Sequence, residues 1–253
     1  MRYIHLKSVD STNNYIRNYI SNDVDESEII VVYSDEQKAG RGQKGNSWES
    51  EKNKNLTFSI LCHPLSIPAP KQFILSEAIS LSILDVLNDI KHVTKGVNAE
   101  DRFSVKWPND IYYGNKKISG TLIECDLNGK TVSNCIIGSG VNINQSHFQS
   151  NAPNPISLCH IFDKEFDIKG ILTSITNRFE HYFGMVLDSK FYLINSLYMQ
   201  NLYRRDGYHP YRDKDGSFSA RIKAVEATGH LVLETVAGEL RRYEFKEVAF
   251  GMG

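Results

Sequence analysis

Three clusters in this sequence combine residue types that can hold an anion, neutralise a phosphoryl group or let a ligand approach the backbone closely. In the first, Gly40, Gly42 and Gly45 surround Arg41 and Lys44. Closely spaced glycines bring backbone amide donors together, and arginine adds a planar five-donor cation, so the loop can receive an anion. The glycines satisfy GxGxxG, but the polar stretch NSWESEKNKN follows instead of a helix, which argues against a dinucleotide fingerprint. No Gly-Lys-Ser/Thr ends the loop, so the phosphate-loop pattern fails as well. A solvated hairpin-like turn is the alternative.

The second cluster runs Lys106-Trp107-Pro108-Asn109-Asp110, with Lys117, Ser119-Gly120 and Glu124 further on. A hairpin would return Lys117 beside Asp110, an arrangement suited to neutralising a phosphoryl group; a strand-edge ion pair is the alternative. The third cluster, Gly138-Ser139-Gly140-Val141-Asn142-Ile143-Asn144, ends an apolar run. Small residues there permit close ligand approach, although a tight strand exit would use them equally well. Trp48 and Trp107, the two tryptophans, fall inside polar clusters and suggest ligand walls.

These clusters need elements to position them. Ser11 or Thr12 can cap a helix over 11–20 whose Tyr15, Ile16, Tyr19 and Ile20 form an apolar face. Strands are expected at 28–34 and 56–65, followed by a long helix with Leu75, Ile79, Ser82, Val86 and Ile90 on one stripe. Short strands follow at 103–107, 118–127 and 131–144; the segment 145–160, with Pro153 and Pro155, reads as a surface connection. Helical periodicity returns at Leu172, Ile175, Phe179 and Tyr182, and a further helix lies in SLYMQNLYRR. From about 207 the texture changes to short alternating runs separated by Gly216, Gly229 and Gly238, an all-β tail.

The 253 residues carry 29 basic and 30 acidic side chains, a net charge of -1, which disfavours a nucleic-acid or anionic-membrane partner. No secretory leader or membrane span is legible, giving a cytoplasmic expectation. Cys62, Cys125, Cys135 and Cys159 have no zinc-site spacing and read as reduced thiols, and there is no HExxH or GxSxG motif.

Taken in order, STNNY at 11–15, QKAGRGQKGNSW at 37–48, VKWPNDIYYGNKKISGTLIE at 105–124 and IIGSGVNIN at 136–144 resemble the signatures of biotin–protein ligases. The resemblance implies an α/β (α+β) catalytic domain of the biotin/lipoate ligase type over 1–205, a mixed sheet with helices packed on it. A small SH3-like β-barrel over 206–253 would follow. It implies the ligase-only type, without a DNA-binding module before Ser11, acting as monomer or homodimer. The implied activity makes biotinyl-5'-adenylate and pyrophosphate from biotin, ATP and Mg2+, then transfers biotin to a lysine of a biotin carboxyl carrier protein.

The same resemblance assigns Lys117, Arg41 and Asp110 to catalysis, with Asp110 a neighbour of Mg2+ whose ligands stay open. Biotin would meet Ser11, Thr12, Asn13, Gln37, Gly40, Arg41, Gly42, Trp48, Lys117 and Gly120. The adenylate would meet Arg41, Gly42, Gln43, Lys44, Trp48, Lys106, Trp107, Asn109, Lys117 and Asn142. Gln43 departs from the family's frequent Gly-Arg-Gly-Arg, leaving Arg41 and Lys44 to share the loop's charge. Lipoate–protein ligase or octanoyl transferase is the nearest alternative, and a non-catalytic biotin-binding regulator a more distant one.

Overall fold

The computed structural model describes residues 1–19, 25–43, 46–94, 102–149 and 154–251. Seven strands form the main sheet in the order β1-β2-β3-β7-β6-β5-β4. They are β1 (Arg2–Leu6), β2 (Ile30–Ser34), β3 (Leu56–Cys62), β4 (Phe103–Lys106), β5 (Asp110–Tyr113), β6 (Lys116–Asn128) and β7 (Thr131–Val141). β1 and β2 pair in parallel and the other neighbours are antiparallel, so the sheet is mixed, as expected. Two of these strands, β1 and β5, lie outside the strands read from the sequence.

Alternation along the strands divides the core between two faces. On one face α1 (Thr12–Tyr19) sets Ile16 against Ile30, Val32, Leu61 and Ile136. On the other, Phe58, Ile60, Cys62, Cys135 and Ile137 join the larger core formed with α2 (Ile74–Val93), α4 (Ile168–Leu187) and α5 (Phe191–Gln200). The short α3 (Leu158–Phe162) precedes α4. α2 buries nearly every residue of its first three turns, more than the single stripe expected, because α4 and α5 cover it from behind the sheet. Among the described residues no helix is long and apolar enough to cross a membrane.

The C-terminal strands are β8 (His209–Asp213), β9 (Gly216–Val225), β10 (Leu231–Thr235), β11 (Leu240–Tyr243) and β12 (Ala249–Phe250). They form an antiparallel sheet in the order β11-β10-β9-β8-β12, which corrects the expected SH3-like barrel. Closure requires the two edge strands to share a ladder. Here β11 pairs with β10 and the two-residue β12 pairs with β8, so the sheet stays open. Its inner residues Tyr211, Ala220, Ile222, Leu231 and Leu233 continue the core that contains α2 and α5.

Candidate active site

The N-terminal turn of α1 is pinned by side chains from two other segments. Gln37 Oε1 accepts from both the Thr12 amide (3.0 Å) and the Thr12 hydroxyl (3.2 Å). From β3, the Ser59 hydroxyl lies 2.7 Å from Thr12 Oγ1 and 2.6 Å from Asn13 Oδ1. Asn13 then donates from Nδ2 to Glu124 Oε2 at 2.8 Å. Ser11, Thr12 and Asn13 are all buried. The result is a polar wall with donors and acceptors fixed by one another.

Residues 40–42 and 46–48 pair as the two arms of a hairpin, and neither arm is helical. Gly42 donates to Asn46 O at 2.7 Å, Trp48 donates to Gly40 O at 2.9 Å, and Arg41 bridges Ser47. This fold-back carries Trp48 inward over two glycines of the main sheet. A Cβ on Gly140 would lie 2.2 Å from Trp48 Cε2, and one on Gly120 would lie 3.1 Å from Cζ3. On Gly138 it would come within 2.0 Å of Asn13 Oδ1. The glycines of β6 and β7 therefore form a floor low enough for Asn13 and Trp48 to rest on. The buried Trp48 indole nitrogen has no hydrogen-bond partner among the described residues. Lys44 and Gly45 lie outside those residues.

The expected hairpin return is present. β4 and β5 meet through Lys106 opposite Asp110, and a bulge where β5 pairs with β6 sets Tyr112 opposite Lys117. Lys117 Nζ contacts Asp110 Oδ2 at 2.6 Å and sits 5.9 Å from the Trp48 ring. The Lys117 backbone is fixed on its other side by Asn154 O (2.8 Å) and the Ile156 amide (2.9 Å). Lys106 donates to the Tyr112 hydroxyl at 2.9 Å. Burial holds its ammonium below the ordinary lysine value, with Asp110 opposing, and burial pushes the Tyr112 phenol up.

The turn between β4 and β5 is anchored from outside. Trp107 Nε1 donates to Gly229 O at 2.9 Å and Tyr198 donates to Pro108 O at 2.8 Å, tying the turn to the C-terminal sheet and to α5. Asn142 is buried, with Nδ2 donating to Ile156 O at 3.1 Å, so it staples the end of β7 to the segment before α3.

Ser11, Thr12, Asn13, Gln37, Arg41, Gly42, Gln43, Trp48, Lys106, Asn109, Asp110, Lys117, Gly120 and Asn142 all line one cavity of about 530 Å3. Gly40 and Trp107 do not: Gly40 packs beneath Trp48 and Gln37, and Trp107 is buried against the C-terminal sheet. Arg41 Nη2 is 3.0 Å from Glu124 Oε2, so the two cations paired here, Arg41 and Lys117, each rest on a carboxylate. Tyr112, Phe148 and Phe245 also line the cavity and were not singled out from the sequence. Phe245 comes from the C-terminal sheet region, more than 220 residues from the helix α1 that it shares the cavity with, so no local signal could have found it. Among the described residues no group of three or more His, Cys, Asp or Glu could hold a metal ion.

Cations, amide donors and a polar wall in one cavity suit two anionic reactants that must be brought together. Known proteins resemble the chain in sequence and in fold. The bifunctional ligase/repressor BirA of Bacillus spizizenii is 26% identical over 245 residues, spanning 95% of this chain and 71% of that protein. BirA of Escherichia coli is 32% identical over 151 residues, 59% of this chain and 43% of that protein. A solved structure of biotin protein ligase from Aquifex aeolicus in complex with biotin and ATP shares the fold, with a TM-score of 0.77 at 24% identity, covering 98% of this chain and 97% of that one. Residues 5–142, which supply nearly all of the cavity wall, match the biotin/lipoate A/B protein ligase family, and the chain belongs to that family.

Proposed function

We propose that this chain is an ATP-dependent biotin–protein ligase that forms biotinyl-5'-adenylate and then biotinylates a lysine on a carrier protein. The observation that carries the reading is the single cavity that joins the Thr12–Gln37–Asn13–Ser59 network to Arg41, Lys117 and Asp110. In the first step a biotin carboxylate oxygen attacks the α-phosphorus of ATP and pyrophosphate leaves. In the second, the carrier amine attacks the acyl carbon, AMP leaves and the amine loses a proton.

Each residue has a role on this reading. Ser11, Thr12, Asn13 and Gln37 meet the ureido head, where opposed donors and acceptors select a cyclic urea. Trp48 covers the apolar tail, over the floor at Gly120 and Gly140. Lys117 neutralises charge between the carboxylate and the α-phosphate, and Asp110 positions its ammonium. Arg41, Gly42 and Gln43 close over the adenylate, with Lys106, Asn109 and Asn142 on the nucleotide side. Mg2+ fits as an ion carried by the phosphates of ATP, since it usually takes one or two carboxylates together with substrate phosphates, and Asp110 is a carboxylate within the cavity. We place the junction between the ligase unit and the C-terminal sheet at 205–206, between the end of α5 and the start of β8.

The test is incubation with ATP, Mg2+, biotin and a purified carrier domain, followed by intact-mass measurement of the carrier. The expected result is one biotinyl adduct, absent without ATP. A competent carrier that stays unmodified refutes the reading, and preferential stabilisation by lipoate with ATP over biotin with ATP would move the substrate assignment.

A further inference from the structure

Three cysteines fall on one row of the main sheet. Cys135 of β7 is directly opposite Cys125 of β6 on one side and Cys62 of β3 on the other. Cys125 and Cys135 pack with the helix-covered core, while their neighbours Glu124 and Ile136 face α1. The cavity chemistry uses none of these thiols.

The Cys125–Cys135 pair has the geometry of a bond about to form. Residues directly opposite in an antiparallel ladder have Cα atoms roughly 4.5–5.5 Å apart, inside the span of about 4.4–6.8 Å that a disulfide bridges. Their sulfurs are already 3.2 Å apart, so closure needs side-chain rotation and little movement of the backbone. Cys62 Sγ, by contrast, is directed at the Cys135 carbonyl oxygen at 3.9 Å.

The two thiols are unequal in access. Cys125 is partly exposed, near the Arg17–Asp126 pair, and Cys135 is fully buried. The hydrogen bond with Cys135 holds the Cys125 thiol below its ordinary value, whereas burial pushes Cys135 up. A thiol that solvent can reach, beside a sheltered second thiol, is the arrangement of an attacking and a resolving cysteine.

We propose that Cys125 and Cys135 form a reversible dithiol–disulfide site that reacts with small disulfides of the oxidised-glutathione class. The Cys125 thiolate attacks one sulfur of the reagent, its S–S bond breaks, and one small thiol leaves. Cys135 then gives up its proton and attacks Cys125 Sγ in the mixed disulfide, releasing the second small thiol. Two protein thiols are oxidised, one small disulfide is reduced to two thiols, and the two protein protons end on the leaving thiolates. The new bond ties β6 to β7 on the face opposite Glu124, so it stiffens the strand that carries the Arg41 and Asn13 contacts without entering the cavity.

The full chain is treated under native conditions with excess oxidised glutathione, quenched in acid, alkylated after denaturation, and mapped by peptide mass. The expected result is loss of two of the four alkylatable thiols, a Cys125–Cys135 linked peptide, and recovery of both thiols with dithiothreitol. Cys135→Ser should stop at a mixed disulfide on Cys125, Cys125→Ser should remain unmodified at 135, and Cys159→Ser should behave as the parent. Four alkylated thiols after exposure of the parent chain, or a linked peptide joining Cys62 to Cys135 instead, overturns the proposal without reference to any variant.

Discussion

Glu77 provides a quantitative test of how the helices are packed behind the sheet. It sits in the first turn of α2 at 2% exposure, where Asn195 of α5 donates to its Oε1 at 2.7 Å and its Oε2 has no partner among the described residues. Lys71 and Asn195 line a small cavity with it, and the buried Tyr198 phenol senses its charge. Burial pushes the Glu77 carboxyl from 4.5 up to about 7, with the Asn195 bond opposing. A carboxyl raised on folding binds its proton more tightly in the native state, so its contribution to stability is greatest at low pH. That contribution is lost as pH rises from the unfolded value through the folded one. At about 1.4 kcal/mol per pH unit the interval corresponds to about 3 kcal/mol, present as a full penalty above pH 7.

Glu77→Gln retains an oxygen for Asn195 and removes the charge. Its new amide hydrogens shift stability by an amount that does not vary with pH, and all other titrating groups are common to both proteins. The difference between the urea-unfolding free energies of variant and parent should therefore grow by about 2.5 kcal/mol in the variant's favour from pH 5 to pH 8. In thermal unfolding this is a relative gain of about 5–10 °C for a chain of this size. Parallel pH profiles for the two proteins would refute both the buried carboxylate and the argument from its desolvation.

Other substitutions test the cavity. Lys117→Met keeps most of the side-chain length but removes the charge and leaves Asp110 without its 2.6 Å partner; pyrophosphate release at saturating biotin and ATP should fall by about 100-fold or more. Gly140→Ala places a methyl 2.2 Å from Trp48 Cε2, so it should displace the indole, shift its fluorescence and destabilise the protein by about 1–3 kcal/mol in urea titrations. Gln43→Ala should leave the rate of biotinyl-adenylate release within about twofold of the parent, a difference of ~0.4 kcal/mol, because Arg41 carries the charge of the loop. A large rise in free adenylate would show that the neutral side chain matters.

The sequence was most readable where chemistry and turn geometry coincide. The Asp110–Lys117 approach follows from a hairpin between two short strands, and the glycines at 138 and 140 follow from their place at the end of an apolar run. Legibility ended where partners are distant. Ser59 lies inside LTFSILC, which reads as a uniformly buried strand, yet its hydroxyl serves Thr12 and Asn13 more than 40 residues away. Trp48 and Trp107 occupy equally polar surroundings in sequence. One reaches the cavity because its hairpin folds inward, while the other is claimed by Gly229, 122 residues on. Barrel closure is likewise invisible to strand alternation, because it depends on whether two remote edges meet.

The energetics of the two ion pairs bear on how such a cavity can accept a nucleotide. The Arg41 and Glu124 side chains are 43% and 29% exposed, so their attraction is screened and contributes about 0–1 kcal/mol. Lys117 and Asp110, at 26% and 27%, are only modestly better shielded. Neither cation is locked into a deeply buried pair whose rupture would cost several kcal/mol. On the proposed chemistry, a phosphate entering between them can replace Glu124 as the partner of Arg41 at small cost. The same carboxylate also accepts from Asn13, which Ser59 and Thr12 hold in the polar wall. Releasing Arg41 would then leave Glu124 bound to Asn13 alone, so occupancy on the nucleotide side and order on the opposite wall are linked through one shared acceptor.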